Sequence, residues 1–115
     1  MKKTKTLKKN YEFRRVLSKG TYYNGDYIGA YIIKSRDHNQ YIGFAVGVKI
    51  ANAPRRNKIK RLLRENYRLM EDNINTGYSI VFLWKKSVNI KYATFDNIKK
   101  DMTKIFEKAR ILREV

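Results

Sequence analysis

The segment 52–70 constrains the fold more than any other part of the sequence, because it separates apolar and cationic side chains at helical spacing. At about 100° per residue, its apolar positions share one side of a helix and its charged positions share another. The apolar side consists of Ile59, Leu62, Leu63, Asn66, Tyr67, Leu69 and Met70, and the cationic side of Lys60, Arg61, Arg64 and Arg68. Asn52 and Pro54 suit its first turn, and the helix should end within Asp72–Gly77. Such a helix must cover a core with one side and leave its charges in solvent.

The remaining elements follow from hydrophobic period and turn residues. Asn10 predicts the cap of a first helix, Tyr11–Lys19, and Gly20 suits a left-handed residue that ends it. Beyond it the sequence predicts three strands and a last helix: Tyr27–Lys34, Tyr41–Lys49, Tyr78–Lys85 and Thr94–Arg110. The order α-β-β-α-β-α predicts an α+β fold, a single-domain α-β sandwich with helices against a small sheet.

The three strands differ in what they predict about the sheet. The polar stretch Ser35–Gln40 is typical of a hairpin loop between the first two strands. The last strand is apolar throughout, which favours a central position with both faces buried. The second strand has one bulky face, formed by Ile42, Phe44, Val46 and Val48. Its other face is nearly bare and consists of Tyr41, Gly43, Ala45 and Gly47. A helix could cover the bare face closely, or it could stay open as a groove.

Composition restricts the functions available to so small a chain. Its 115 residues include 27 Lys and Arg against 10 Asp and Glu, which gives a net charge of +17. Self-repulsion of this size predicts a polyanionic partner, either nucleic acid or an anionic membrane. The sequence has no cysteine, and its one histidine, His38, lies in a polar stretch. Disulfide, thiolate-zinc and histidine-triad chemistry are therefore excluded.

The beginning of the chain is rich in lysine. Residues 1–9 contain five lysines and no acid, which is typical of a flexible basic N-terminal arm, and they lack the apolar region of a secretion signal. No segment is apolar enough to span a bilayer. We therefore expect a cytoplasmic protein in which residues 1–115 form a single domain.

The densest charge lies between Arg55 and Arg68, where seven basic residues accompany a single acid, Glu65. A run of this kind is ordinarily a solvated charged face. Here the shortage of acids, the preference for arginine with its bidentate fork, and Asn57 within the run favour phosphate binding.

The same region carries a family resemblance. Residues 46–65 read Val-Gly-Val-Lys-Ile-Ala-Asn-Ala-Pro-Arg-Arg-Asn-Lys-Ile-Lys-Arg-Leu-Leu-Arg-Glu. They resemble the signature of the bacterial ribonuclease P protein component, an Arg-Asn-Arg core followed by a Lys-Arg pair, with Lys58 in place of the second core arginine. Lys8–Asn10 and Glu12–Leu17 are similar to the family's first helix. The resemblance implies a left-handed β-α-β crossover, as in the second domain of ribosomal protein S5. The handedness of β-strands and helices by itself favours the right-handed form of such a crossover.

The resemblance also implies a function. The family's protein is the non-catalytic subunit of a ribonucleoprotein endonuclease that removes the 5′ leader from precursor tRNA, with the active site in the RNA. The implied partners are the catalytic RNA and precursor tRNA, and Mg²⁺ would be held mainly by RNA phosphates. Residues 1–115 would accordingly form a single RNA-binding domain, with no membrane partner and no stable protein partner. RNA-subunit contacts would come from Arg55, Arg56, Asn57, Lys58, Lys60, Arg61, Arg64 and Arg68. Leader contacts would come from Phe13, Leu17, Tyr31 and Lys85, in a cleft between the sheet and the first helix.

Other functions stay open from the residues alone. A ribosomal or general single-stranded RNA-binding protein could share this packing and charge. An independent nuclease would need paired carboxylates, and those of this sequence are dispersed. A membrane-surface binder is disfavoured, because folding already uses the apolar stripe of the basic helix.

Overall fold

The computed structural model describes residues 3–113 and confirms the α+β architecture. All six predicted elements are present, together with one short strand before the first helix and one after it. In chain order the elements are β1 (Thr4–Thr6), α1 (Asn10–Lys19), β2 (Thr21–Asn24), β3 (Ile28–Lys34), β4 (Gln40–Ala45), α2 (Ala53–Met70), β5 (Tyr78–Trp84) and α3 (Phe95–Ala109). Single 3-10 turns at Glu71–Asn73 and Ile90–Tyr92 follow α2 and precede α3.

The strands form one five-stranded sheet in the order β1-β4-β5-β3-β2. β5 is parallel to β4 and antiparallel to β3, so Phe82 is the register partner of both Phe44 and Ala30. Ile80, Val81 and Phe82 have no exposed surface. Because consecutive strand residues point to opposite faces, β5 is buried on both, which confirms its predicted central position.

The predicted hairpin between β3 and β4 is wrong. β5 lies between these two strands, and the hairpin partner of β3 is β2, with Tyr22 opposite Tyr31. A strand on each side pairs both edges of the most apolar strand, and the helix layers cover its two faces. β4 and β5 are parallel neighbours connected through α2, as the resemblance requires. The left hand of this crossover stays a prediction.

The prediction that the basic N-terminal arm is flexible differs from the structure, in which a strand lies within the arm. Thr4–Thr6 pairs in parallel with β4, and the Thr4 hydroxyl lies 2.8 Å from the Tyr67 hydroxyl of α2. The Leu7 amide donates to the Ile42 carbonyl, and the Leu7 side chain is buried. This single apolar residue among lysines anchors the segment on the edge of the sheet. Met1 and Lys2 lie outside the described residues.

The helix ends confirm some predicted caps and correct others. The Asn52 side chain accepts from the Arg55 amide at 3.1 Å, as predicted for α2. In α1, however, Asn10 is already helical and makes no capping bond. Gly20 has φ −75°, so it is not left-handed, and an added Cβ there would lie 2.5 Å from the Val16 carbonyl oxygen. Close approach, and not backbone conformation, is the reason for this glycine.

The sheet has a helix layer on each side. Its α2 face, named for the helix that covers it together with α3, forms the main core around Ile42, Phe82 and Trp84. Its α1 face packs a smaller cluster of Leu7, Val16 and Val81 under α1. Within α2 the predicted apolar side is buried or half-buried except for Leu69, which is 55% exposed and lies beyond the edge of the core. Val48, predicted on the bulky strand face, is also exposed because β4 ends at Ala45.

Candidate nucleic-acid interface

The predicted RNA-subunit residues form the outward side of α2, which we call the α2 cation stripe: Arg55, Arg56, Asn57, Lys58, Lys60, Arg61, Arg64 and Arg68. All are exposed except Arg56 and Lys60, which are half-buried. On the inward side of the same helix, Ile59, Leu63 and Tyr67 are almost completely buried. Packing on one side therefore fixes the direction in which the charges point.

Only one member of the stripe is neutralised by an acid in the part of the chain that the structure describes. Arg68 forms an ion pair with Glu65 at 2.5 Å, and this bond lowers the pKa of Glu65. The other ion pairs of residues 3–113 are Lys3–Asp72 and Lys104–Asp26, and neither involves α2. The remaining cations of the stripe are thus available to an external polyanion.

Two arginines of the stripe are held in place by neighbours. The Arg56 guanidinium donates to the Ala51 carbonyl at 2.8 Å, which ties the start of the helix to the preceding loop. The Arg64 guanidinium lies 5.6 Å from the centre of the Phe44 ring, a cation–π arrangement. Both therefore present their free donors with less conformational freedom than a solvated side chain.

A concave basic region adjoins the start of α2, where the parallel strands β4 and β5 end. A cavity of about 830 Å³ is lined by Lys49, Arg55 and Lys86, and a second of about 310 Å³ by Arg55, Lys58 and Lys91. The carboxyl ends of parallel strands are a common place for ligands. Lys49, Lys86 and Lys91 were not among the predicted site residues, since only the parallel pairing of β4 and β5 brings them beside α2.

On the α1 face, the structure brings two predicted leader residues into one cluster. Phe13 and Tyr31 both pack on the small core around Val81, which is the register partner of Tyr31 and of Gly43. An added Cβ at Gly43 would lie 2.6 Å from Phe13 Cε1, so only glycine permits this ring to rest on the strand. The bare strand face is thus covered by α1 at Gly43, and both rings stay half-buried at its surface.

Tyr22 extends this aromatic cluster and was missed from the sequence. Its ring centre lies 4.9 Å from that of Tyr31, its hydroxyl donates to Asn24 at 3.2 Å, and 42% of the residue is exposed. Partial burial, and after it the proximity of Tyr31, raise the pKa of Tyr22, so the phenol stays neutral. Tyr22–Asp26 has the residue types of a turn, so the sequence did not indicate that its first residues belong to the strand β2.

The two other predicted leader residues have different surroundings. Leu17 is 40% exposed on α1, one turn beyond Phe13. Lys85 directly follows β5, and its ammonium group donates to the Gly25 carbonyl at 3.0 Å. This lysine therefore supports the turn between β2 and β3 in addition to carrying charge.

The sheet separates three of the predicted leader residues from the predicted RNA-subunit residues. Phe13, Leu17 and Tyr31 belong to the α1 layer, whereas the α2 cation stripe belongs to the helix layer on the opposite face. Within residues 3–113, no group of three or more His, Cys, Asp or Glu residues is placed so that it could hold a metal ion. Over the same range, no helix has the length and apolarity needed to cross a membrane.

Comparison with known proteins identifies the family of this fold. The family model described as Ribonuclease P matches residues 1–110. The chain belongs to the ribonuclease P protein family. It is 36% identical over 110 residues to the ribonuclease P protein component of Clostridioides difficile, covering 95% of each chain. It is 45% identical over 78 residues to that of Natranaerobius thermophilus, covering 68% of each.

The fold agrees with a solved member of this family. The structure of the Staphylococcus aureus RNase P protein matches with a TM-score of 0.81 and 26% identity, covering 94% of this chain and 97% of that one. The ribonuclease P family resemblance from residues 46–65 is therefore confirmed, and the chain is a protein component of an endoribonuclease complex.

Proposed function

We propose that this ribonuclease P protein binds the catalytic RNA through the α2 cation stripe and the 5′ leader of precursor tRNA through the α1 face. The observation that carries the proposal is the row of exposed cations on α2, of which only Arg68 has an acidic partner among residues 3–113. Cations fixed on a rigid helix and left without internal partners are suited to RNA phosphates. In this role each bound phosphate offsets part of the repulsion within a chain of net charge +17.

The leader would use a different kind of contact. Phe13, Tyr31 and Tyr22 present half-buried or exposed rings on a single face. Every base has a face that stacks on an aromatic ring, so these rings accept single-stranded RNA of any sequence. A leader that varies from one precursor to the next requires this tolerance.

Catalysis is assigned to the RNA. In this proposal the protein positions the leader and reduces the repulsion between two RNA molecules, while RNA phosphates hold the Mg²⁺ ions. The proposal agrees with the lack, within residues 3–113, of any group of three or more His, Cys, Asp or Glu residues that could hold a metal ion.

A cleavage assay tests the proposal directly. Precursor tRNA is incubated with Mg²⁺ and with protein alone, cognate RNA alone, or both, at near-physiological salt. We expect cleavage that requires the RNA and is strengthened by the protein, with precursor bound more tightly than mature tRNA. Cleavage by protein alone would contradict the assignment of the active site to RNA, and equal affinity for precursor and mature tRNA would contradict the leader groove.

A further inference from the structure

The solvent side of α1 carries a third basic surface, which neither the α2 cation stripe nor the aromatic cluster includes. This outer α1 surface borders a shallow, open depression of about 610 Å³ and is formed mainly by Tyr11, Arg14, Arg15, Leu17, Lys19 and Arg36. Arg36 comes from the connection between β3 and β4, so two separate elements build the surface. Four of its residues are cations, and none of the residues lining it is an acid.

These cations lack acidic partners. No ion pair formed within residues 3–113 involves Arg14, Arg15, Lys19 or Arg36. The Nε–H group of Arg15 is buried and has no acceptor in the same range. An unsatisfied guanidinium donor costs free energy, so Arg15 gains by turning toward an oxygen supplied from outside.

The acids nearest in the fold belong to the adjoining cavity of about 460 Å³, which Glu12 and Asp37 line. Asp37 already accepts from the Tyr41 hydroxyl and from the Asn39 amide. These bonds lower the pKa of Asp37 to about 2, so this carboxylate is ionised at neutral pH. Arg15 and Arg36 line both cavities, and the four cations of the two cavities outnumber the two acids, so the combined surface keeps a net positive charge.

Two exposed apolar side chains on this surface indicate which kind of RNA it fits. Tyr11 is 65% exposed, with the Lys9 ammonium 5.8 Å from its ring centre. An exposed ring beside cations suits an unpaired base and its phosphate. Leu17 belongs both to this surface and to the predicted leader residues, so a strand that leaves the α1 face past Leu17 reaches Arg14 and Arg15 next.

We propose that the outer α1 surface binds the phosphates of leader nucleotides that lie upstream of those held on the α1 face. The inference rests on the proposed leader function and extends the bound segment around α1. Arg15 and Arg36 contact the backbone in this arrangement, and Tyr11 stacks on a base. The leader is favoured over the RNA subunit as the ligand because stacking on Tyr11 requires an unpaired strand.

The test measures how affinity depends on leader length. Reconstituted holoenzyme, with wild-type protein or the double variant Arg15→Ala with Arg36→Ala, is titrated with precursors whose leaders are extended one nucleotide at a time. The matched control is Lys99→Ala with Lys100→Ala, which removes the same charge from exposed positions of α3. Circular dichroism and thermal unfolding verify that each variant is folded.

We expect long leaders to bind wild type more tightly than short ones, and the double variant to abolish this difference, which we expect to be about tenfold. Its salt slope for the long leader should fall by about 0.7 for each phosphate that the variant no longer binds. Short-leader affinity and RNA-subunit affinity should stay at the wild-type values. The α3 control should keep the full preference for long leaders.

Three results would overturn the inference: a long-leader preference that survives in the double variant, an equal loss of affinity for short leaders, or an equal loss in the α3 control. An equal loss for short leaders would point to the RNA subunit or the tRNA body as the ligand. Because wild-type protein must still enhance cleavage of the short-leader precursor, failure of the leader extension is distinguishable from failure of the proposed function.

Discussion

The α2 cation stripe and the aromatic cluster of the α1 face lie on opposite sides of one sheet and differ in how they can bind RNA. The stripe offers charge on a helix whose inward residues are fully packed. The cluster of Phe13, Tyr22 and Tyr31 offers aromatic rings on the α1 face, where Gly43 leaves room for the Phe13 ring of α1 to pack on the strand. Charge binds a phosphate backbone of any sequence and weakens with salt, whereas stacking requires unpaired bases and responds little to salt. In the proposed function, this difference lets one small domain hold a structured RNA and a single strand at the same time.

The largest expected effect comes from the carboxylate that holds the turn between β2 and β3, the strands that carry Tyr22 and Tyr31. Asp101 of α3 is buried and accepts from the backbone amides of Asp26, Tyr27 and Ile28, at 3.1, 2.6 and 2.9 Å. Asp101→Ala leaves these amides without their acceptor and should lower the free energy of unfolding by about 3 kcal/mol or more. Urea unfolding measures this change.

The control for Asp101 lies at the same junction. Lys104 forms an exposed ion pair with Asp26 at 3.2 Å, and Lys104→Ala should cost less than about 1 kcal/mol. If the two variants were equally destabilised, the turn between β2 and β3 would not depend on the buried carboxylate.

The next effect tests the charged side. Arg61→Ala and Arg64→Ala should each weaken RNA-subunit binding by about tenfold and lower the salt slope by about 0.9, as expected for one phosphate contact on duplex-like RNA. Affinity of the assembled holoenzyme for the leader should not change. Binding titrations at several salt concentrations, with Lys99→Ala as the control, measure both quantities. Unchanged slopes would contradict α2 as the docking face.

The aromatic side should respond in the opposite way. Phe13→Leu keeps apolar contact with Gly43 and removes the ring, so precursor affinity should fall by about 1–3 kcal/mol while RNA-subunit affinity and the salt slope stay constant. Mature tRNA binding serves as the internal control. Equal losses for precursor and mature tRNA would exclude stacking of a leader base on Phe13.

The smallest effect concerns the single neutralised cation of the stripe. Glu65→Gln releases Arg68 and should steepen the salt slope of RNA-subunit binding by less than one phosphate contact. If wild type and Glu65→Gln had equal salt slopes for RNA-subunit binding, Arg68 would already be free in the wild-type protein.

The same pair has a defined pH dependence, because Arg68 lowers the pKa of Glu65. The contribution of the ion pair to stability is present above the ordinary value of 4.5 and is lost as pH falls through the lowered pKa. Urea unfolding at several pH values should show this loss in wild type and not in Glu65→Gln.

Much of the site was readable from sequence because it is local. The periodicity of residues 52–70 placed Ile59 and Leu63 in the core and Arg61 and Arg64 outside it, since both sets lie on one helix. The resemblance added Phe13 and Tyr31, which the structure does bring together. Tyr22, Lys49 and Lys86 could not be found in this way, because their places depend on which strands pair.

The sequence by itself determined the α+β class, the two sides of α2, the cap at Asn52 and the burial of β5, since each follows from residues close together in the chain. Only the tertiary structure decided that β5 separates β3 from β4, that Thr4–Thr6 is an edge strand, and that the Tyr22 ring lies beside that of Tyr31. A turn-rich loop and an apolar strand are each compatible with several pairings. The pairing that forms is the one that buries β5 on every side, and this requirement involves the whole chain at once.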